Sequence, residues 1–144
     1  MPHNKDNLST LLLDTHIWLW AMTDESKLNS TIIKAINTAA SKSKILVSII
    51  SVWEVGMLVN KKRITLPYHC LEWVNNALKA PGFHLAGLTP EIAVYSTHLP
   101  GILHGDPCDH ILIATALSHQ ATFVTVDQNI INYAKKNPLQ TLSM

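Results

Sequence analysis

Short apolar runs alternate along the chain with longer segments of helical periodicity. Leu11–Leu13 is a continuous apolar run, the pattern of a central parallel strand that is covered on both faces. The segment Thr15–Met22 then predicts a helix, and Ser30–Ser43 predicts an amphipathic helix whose isoleucines share one side. Strands that alternate with helices indicate a parallel sheet with right-handed crossovers.

The rest of the chain continues this alternation. Strands are predicted at Leu11–Leu13, Ile45–Ser48, Phe83–Leu88 and Ala121–Val126, with an edge strand at Leu139–Leu142. Helices are predicted at Thr15–Met22, Ser30–Ser43, Ile50–Lys62, Tyr68–Lys79, Thr89–His98, Cys108–His119 and Gln128–Lys136. Asp24–Asn29 and Pro100–Gly105 are expected to be loops. The order predicts an α/β protein, a single-domain three-layer α/β/α sandwich over residues 1–144 with a mainly parallel sheet of four or five strands.

Composition narrows the class of protein. A chain of 144 residues that is 47% hydrophobic and 15% charged is globular, and its net charge of +1 gives no general basic field for nucleic acid. Cys70 and Cys108 form neither a CxxC pair nor a disulfide framework. The polar N-terminus lacks the apolar core of a signal peptide, and the most apolar tract, Ile45–Val59, is too short to span a bilayer. We therefore expect a cytoplasmic protein with no membrane partner.

Half of the acidic residues lie in unusual surroundings. Of ten Asp and Glu residues, five occupy polar or helix-start contexts that need no explanation. The other five are embedded in apolar sequence: Asp14, Glu54, Asp106, Asp109 and Asp127. A charge in such surroundings is costly unless it is paired or bound to a metal.

The stretch His104–Asp127 shows how these acids could meet. Asp106-Pro107 is a helix-start signature, and Asp109 falls in the first turn of the helix that follows. Asp127 comes directly after a predicted buried strand. Helix starts and strand ends face the same crevice of an open α/β sheet, which is where ligands bind.

Each acid also has a structural interpretation. Asp14 and Asp127 could be simple N-caps, and a cap explains Asp106 better than a ligand does. Asp109 could merely complement the helix dipole. Glu54 is the hardest to explain in this way, because its predicted helix has no wide polar face.

Considered together, the five acids are stronger evidence for a functional site than any one of them alone. No Lys or Arg immediately neighbours them in sequence, so carboxylates that converge would repel one another without a cation. Oxygen ligands suit Mg²⁺ or Mn²⁺, which commonly serve phosphodiester hydrolysis. Zinc ligand spacings, a Gly-rich phosphate loop and a GxSxG elbow are all missing from the sequence. The nearby histidines, His16, His104 and His110, are expected to support the site or to lie on the surface.

Four sequence blocks resemble a known family. They are LLLDTHIWLWAM, SIISVWEVGMLV, LPGILHGDPCDHILIATAL and TFVTVD. In order and spacing they resemble the motif blocks of PIN-domain proteins, and most of all the VapC-type toxins of bacterial toxin–antitoxin pairs. The resemblance extends from about Leu11 to Leu142.

This resemblance implies residue roles. The four acids that would hold Mg²⁺ or Mn²⁺ for RNA cleavage are Asp14, Glu54, Asp109 and Asp127. Residues with an accessory role would be Asp106, as an acid or a cap, and the hydroxyls of Thr15 and Thr125. His110 departs from the family, one branch of which commonly has Arg at this position. There are two basic clusters, Lys61-Lys62-Arg63 and Lys135-Lys136. Interpretation as solvated helix ends is at least as well supported for both as a contact with RNA.

The sequence thus predicts a Mg²⁺-dependent endoribonuclease that is the toxin of a toxin–antitoxin pair. Its expected partners are an RNA substrate, a small antitoxin and a second copy, the last through exposed apolar residues on the helices of Thr15–Met22 and Ile50–Val59. Two alternatives stay open. One is a non-catalytic PIN-like scaffold, and the other is an aspartate phosphatase with Asp14 as nucleophile, although His16 occupies the position where that chemistry usually has a second Asp.

Overall fold

The computed structural model describes residues 9–101 and 105–144. Within them the strands are β1 (Leu11–Leu13), β2 (Ile45–Ser48), β3 (Phe83–Ala86), β4 (Thr122–Val124) and β5 (Thr141–Leu142). The helices are α1 (Thr15–Thr23), α2 (Ser30–Ser41), α3 (Ile49–Asn60), α4 (Cys70–Leu78), α5 (Pro90–Tyr95), α6 (Pro107–Ser118) and α7 (Gln128–Ala134). The described helices include none that is long and apolar enough to cross a membrane.

All five strands form one parallel sheet in the order β3-β2-β1-β4-β5. The chain builds outward from β1 through β2 to β3, then returns to the other side of β1 with β4 and β5. The direction of winding therefore reverses between β1 and β4, and ligands bind at such a switch point, outside the carboxyl ends of the strands. The predicted fold class is confirmed, with five strands.

Alternating side chains of β1 divide the core between the two faces of the sheet. Leu11 and Leu13 pack with the buried side chains of α1 to α4, including the fully buried Trp18. Leu12 packs on the other face with α6 and α7, through residues such as Ile113. Helices on both faces explain why β1 is apolar at every position.

Most elements end earlier than their sequence patterns suggested. Helices α2, α3, α5 and α7 stop at Ser41, Asn60, Tyr95 and Ala134, and α4 begins only at Cys70. Strand β3 stops at Ala86, where its pairing with β2 ends. The predicted loop Asp24–Asn29 contains one 3₁₀ turn at Glu25–Lys27, because the Asp24 carboxylate accepts the backbone N–H of Ser26. Part of the predicted loop Pro100–Gly105, including His104, lies outside the described residues.

Three helices share one type of C-terminus without a glycine. Ser43, Lys62 and Gln120 follow α2, α3 and α6 with φ of 56°, 58° and 53°. After α2, the N–H of Ser43 donates to the carbonyl of Ala40 and that of Lys44 to Ala39, which is the Schellman arrangement. A left-handed residue cannot continue a helix, so the apolar periodicity alone overestimated the length of these helices.

Candidate metal centre

The carboxylate of Asp14 lies at the switch point of the sheet. It directly follows β1 and caps α1, with Oδ1 accepting the backbone N–H of Thr15 at 2.8 Å. Its other oxygen, Oδ2, accepts the hydroxyl of Thr125 at 2.7 Å. The end of β4 therefore fixes the acid at the end of β1.

Thr15, the residue after Asp14, connects the end of β1 to α3. Its Oγ1 donates to Oε1 of Glu54 at 2.8 Å and lies 2.8 Å from Oγ of Ser51. Because Thr15 has a single hydroxyl hydrogen, Ser51 donates to Thr15. Ser51 is fully buried and was not identified from the sequence. The available signal was its position three residues before Glu54, which places both on one side of a helix.

Asp127 is held beside Asp14 by the same threonine. The backbone N–H of Asp127 donates to Oγ1 of Thr125 at 3.0 Å, while Oδ1 of Asp127 accepts the N–H of Asn129 at 2.8 Å and caps α7. One hydroxyl thus contacts both acids that follow the two central strands.

The remaining two acids open α6. Pro107 occupies the first turn, and Oδ1 of Asp106 accepts the N–H of Asp109 at 3.1 Å. The Asp109 carboxylate has no hydrogen bond in the part of the chain that the structure describes. A Cβ atom at Gly105 would lie 3.3 Å from Oδ2 of Asp109, so this glycine passes close to the carboxylate.

Electrostatics shows that the acids share one site. Burial, the largest cause, and the charges of Asp106, Asp14, Asp127 and Glu54 together raise the pKa of Asp109 to about 7. We call these five residues the acidic cluster. Each member lies close enough to act on Asp109, so the structure brings together all five acids that the sequence singled out.

The pKa values of Asp14 and Glu54 are also raised, chiefly by burial. Hydrogen bonds oppose this effect, from Thr125 and Thr15 at Asp14 and from Thr15 at Glu54. Burial and the charges of the acidic cluster raise the pKa of Cys108 to about 11. The Cys108 thiol is therefore protonated at neutral pH and is a poor nucleophile.

The structural and functional interpretations of these acids are both compatible with the geometry. Asp14, Asp106 and Asp127 are indeed N-caps, and they also lie in the acidic cluster. A cap uses only part of a carboxylate, since each oxygen has two lone pairs. Glu54 is half-buried and bound to Thr15 rather than extended into solvent.

The donor set fits a hard divalent cation. It contains only oxygen atoms, and the described charges that shift the pKa of Asp109 and Glu54 are all negative. Among the described residues, the exposed His16 is the one whose electrostatic interaction lowers the pKa of Asp14. Mg²⁺ and Mn²⁺ prefer carboxylate oxygens and would relieve this repulsion.

The acidic cluster is not a closed metal cage. Over residues 9–101 and 105–144, no three His, Cys, Asp or Glu side chains are already arranged to enclose an ion. Mg²⁺ usually keeps several water ligands and binds one or two carboxylates rather than an all-protein cage. An open set of carboxylates at a crevice is compatible with that preference. His110 lies beside Asp109 on α6, and its Nε2 atom is buried without a partner in the described residues.

Comparisons with known proteins identify the family of the chain. Residues 11–136 match the PIN domain family. The chain is 30% identical over 132 residues to Ribonuclease VapC22 of Mycobacterium tuberculosis, an alignment that covers 92% of this chain and 98% of the relative.

Solved structures share the fold. VapBC2 from Rickettsia felis, bound to a DNA fragment from its promoter, superposes with a TM-score of 0.67 at 16% identity, covering 92% of this chain and 97% of that one. A toxin–antitoxin complex from Klebsiella pneumoniae gives a TM-score of 0.52 at 19% identity, covering 81% of this chain and 86% of that one. From the matched sequence, the doubly wound parallel sheet and the acids at its switch point, the chain belongs to the PIN domain family.

Proposed function

We propose that the protein is a divalent-metal-dependent endoribonuclease and the toxin of a toxin–antitoxin pair. The observation that carries this proposal is the acidic cluster: five carboxylates converge at the switch point, where burial and the charges of the other four raise the pKa of Asp109 to about 7. A permanent assembly of like charges is unfavourable without a cation. Similarity to a ribonuclease over 92% of the chain adds independent support.

In this proposal Asp14, Glu54, Asp109 and Asp127 hold Mg²⁺, with Mn²⁺ as a substitute. A divalent cation in such a site supplies Lewis-acid stabilisation of charge during phosphodiester hydrolysis. Thr125 and Thr15 orient Asp14 and Glu54 through their hydroxyls, and Ser51 orients Thr15. Asp106 is a cap that adds negative charge, since its Oδ1 is directed to the N–H of Asp109.

Asp14→Asn tests the nuclease. It keeps the size of the side chain but removes a charge and one hydrogen-bond acceptor, so RNA cleavage in Mg²⁺ should fall by at least about 100-fold. The matched control is Glu91→Gln, which removes an equal charge from an exposed helix start on α5 and should leave cleavage unchanged. Undiminished cleavage by a folded Asp14→Asn protein would refute the proposal.

A non-catalytic scaffold predicts different metal behaviour. Calorimetric titration with Mn²⁺ should show binding by the wild type that Glu54→Gln weakens and Glu91→Gln does not. A scaffold without a metal site would show no such binding, and RNA incubated with it would stay intact.

The proposed partners are an RNA substrate, a small antitoxin that covers the acidic crevice and a second copy of the chain. For the second copy α3 is a better candidate than α1, because Ile49 and Trp53 are 37% and 54% exposed. The apolar side chains expected to be exposed on α1 are instead buried or half-buried. Trp53→Lys should therefore shift the molecular mass measured by light scattering from dimer to monomer. We propose a cytoplasmic location, where RNA and an antitoxin are available.

A further inference from the structure

A groove beside the acidic cluster combines aromatic and cationic side chains. It has a volume of about 420 Å³ and lies between α1, the 3₁₀ turn at Glu25–Lys27 and the segment after α3. The residues that matter for its chemistry are His16, Trp20, Lys27 and Arg63. We call this the α1 groove.

The α1 groove begins where the acidic cluster ends. His16 immediately follows Thr15, and its charge acts on the carboxylate of Asp14. Trp20 lies one turn further along α1, and Thr23 one turn beyond that. The seven helical steps from His16 to Thr23 span about 10 Å, so the groove leads directly away from the candidate metal site.

The aromatic surface of this groove is already organised. The rings of His16 and Trp20 lie 5.7 Å apart between centroids, and Nζ of Lys27 lies 5.9 Å from the centre of the Trp20 ring. Trp20 is half-buried and packs against the core, so its ring has a fixed position. A fixed ring with an accessible part is a platform on which a base can stack.

The positions of the two cations in the groove, Lys27 and Arg63, also follow from the local structure. Lys62 takes a left-handed conformation after α3, and the N–H of Arg63 then donates to the carbonyl of Leu58. This turn carries the chain back toward α1 and brings Arg63 into the groove. Lys27 also acts on the exposed carboxylate of Asp24, whose main partner is the Ser26 hydroxyl. The residues that line the groove, all of them in the described part of the chain, include no carboxylate.

We propose that the α1 groove binds one nucleotide of single-stranded RNA next to the bond that is cut, with its base on Trp20 and His16 and its phosphate near Lys27 and Arg63. The inference rests on the proposed nuclease function and deepens it. Aromatic platforms alternating with cations are typical of single-strand binding. The volume falls in the range of small-ligand pockets and suits a nucleotide better than a folded segment of a partner protein.

Equilibrium binding tests the groove separately from cleavage. A fluorescent, random-sequence single-stranded oligoribonucleotide is titrated with full-length protein in EDTA, where no metal is present to support cleavage. The double variant Lys27→Ala/Arg63→Ala is compared with Lys42→Ala/Lys79→Ala, which removes the same charge from exposed positions before β2 and β3, at the opposite end of the sheet. The groove variant should weaken binding about tenfold or more and reduce the magnitude of the slope of log K against log salt by about 0.7, the value for one lost phosphate contact.

Trp20 needs variants that keep the protein folded. Trp20→Leu retains an apolar side chain and should weaken binding about tenfold, while Trp20→Phe retains a ring and should restore most of the affinity. In cleavage assays with Mg²⁺, the groove variants should raise KM with little change in kcat. Asp14→Asn should lower kcat.

The outcomes separate the two proposals. If the groove variants bind and cleave RNA like the wild type while Asp14→Asn is inactive, the nuclease stands and the α1 groove assignment is wrong. If they retain RNA affinity but lose the cognate antitoxin, the groove belongs to a protein partner and the RNA assignment is again wrong. If wild-type protein neither binds nor cuts RNA, both proposals fail.

Discussion

Thr125 and Asp14, 111 residues apart in the chain, are joined by a hydrogen bond of 2.7 Å from the threonine hydroxyl to Oδ2 of the carboxylate. The bond exists because β4 lies beside β1 in the sheet and the two strands end together. The same hydroxyl accepts the N–H of Asp127. One buried side chain therefore sets the relative position of two acids, which makes it a sensitive point for mutation.

Thr125→Val should impair the site more than the fold. Valine keeps the shape of threonine but cannot donate to Asp14, and loss of an orienting partner typically costs 10- to 100-fold in metal affinity or activity. The free energy of unfolding should change by only about 1 kcal/mol. Calorimetric Mn²⁺ titration and thermal unfolding measure the two effects. Thr125→Ser restores the hydroxyl and should recover most of the affinity, whereas equal losses in both variants would contradict the orienting role.

Thr15 should act through Glu54. Thr15→Val removes the hydrogen bond of 2.8 Å to Glu54 and leaves the fully buried Ser51 without its acceptor. If the hydroxyl matters because it positions Glu54, the losses in cleavage from Thr15→Val and Glu54→Gln should not add in the double variant. Rates of RNA cleavage by the wild type, the two single variants and the double variant form the double-mutant cycle that tests this. Fully additive losses would show that Thr15 acts independently of Glu54.

Metal-free protein should lose stability as pH rises from about 4 to about 7. The folded pKa of Asp109 is about 7, above its ordinary value near 3.9, so the folded state binds more protons than the unfolded state in this window. Stability then falls with increasing pH until Asp109 is ionised. Asp14 and Glu54, whose pKa values are also raised, act in the same direction.

Melting temperatures in EDTA and in Mg²⁺ measure this linkage. Mg²⁺ should stabilise the protein more at pH 8 than at pH 5, because ionised carboxylates bind it better; an ion at 100 times its Kd adds about 2.7 kcal/mol. In EDTA, Asp109→Asn should weaken the dependence of the melting temperature on pH and raise the melting temperature at pH 8. Glu91→Gln, at an exposed helix start, should do neither. A melting temperature that rises with pH in EDTA would contradict the electrostatic account of the acidic cluster.

Glycine at the left-handed helix ends should stabilise the fold. Ser43 and Gln120 have φ of 56° and 53°, a conformation that is unfavourable for residues with a Cβ atom. Ser43→Gly and Gln120→Gly should each add about 0.5–1 kcal/mol to the free energy of unfolding. Lys42→Gly, one residue before Ser43 and at φ of −102°, is the matched control and should not stabilise. Urea denaturation distinguishes these cases, and destabilisation by Ser43→Gly would refute the argument.

Gly82 should tolerate no side chain. Its φ is 85°, and a Cβ atom there would overlap the backbone carbonyl of Ala40 at the end of α2. Gly82→Ala should therefore cost at least about 2 kcal/mol, through both strain and displacement of α2. Gly87, after the end of β3, has open space around the position of a Cβ atom, so Gly87→Ala is the control and should cost much less. Similar urea midpoints for the two variants would contradict this prediction.

The sequence predicted the parts of the structure that depend on local patterns. The apolar run Leu11–Leu13 indicated a strand covered on both faces, and Asp106-Pro107 indicated a helix start; both are confirmed. Convergence of the acids could be inferred because parallel strands end at one edge of the sheet. That the carboxylates bind a metal remains a prediction.

Other features depend on contacts that a single sequence does not encode. Ser51 belongs to the site only because α3 packs beside the start of α1. Its spacing from Glu54 places both on one side of a helix, but does not show that this side meets Thr15. The left-handed turn at Lys62 could not be predicted from its residue type, and without that turn the place of Arg63 in the α1 groove could not be inferred either. His16 was expected at the surface or in a supporting role, and the structure shows it exposed and in ring contact with Trp20.

The strand order also has a consequence during synthesis on the ribosome. β1, β2 and β3 are made first, but the place beside β1 stays vacant until β4 has been made, near the end of the chain. Because synthesis runs from the N-terminus, a nascent chain lacks Asp127 and the Thr125 hydroxyl for most of its translation. A polypeptide that terminates before residue 122 would therefore lack both groups that meet Asp14 from the end of β4.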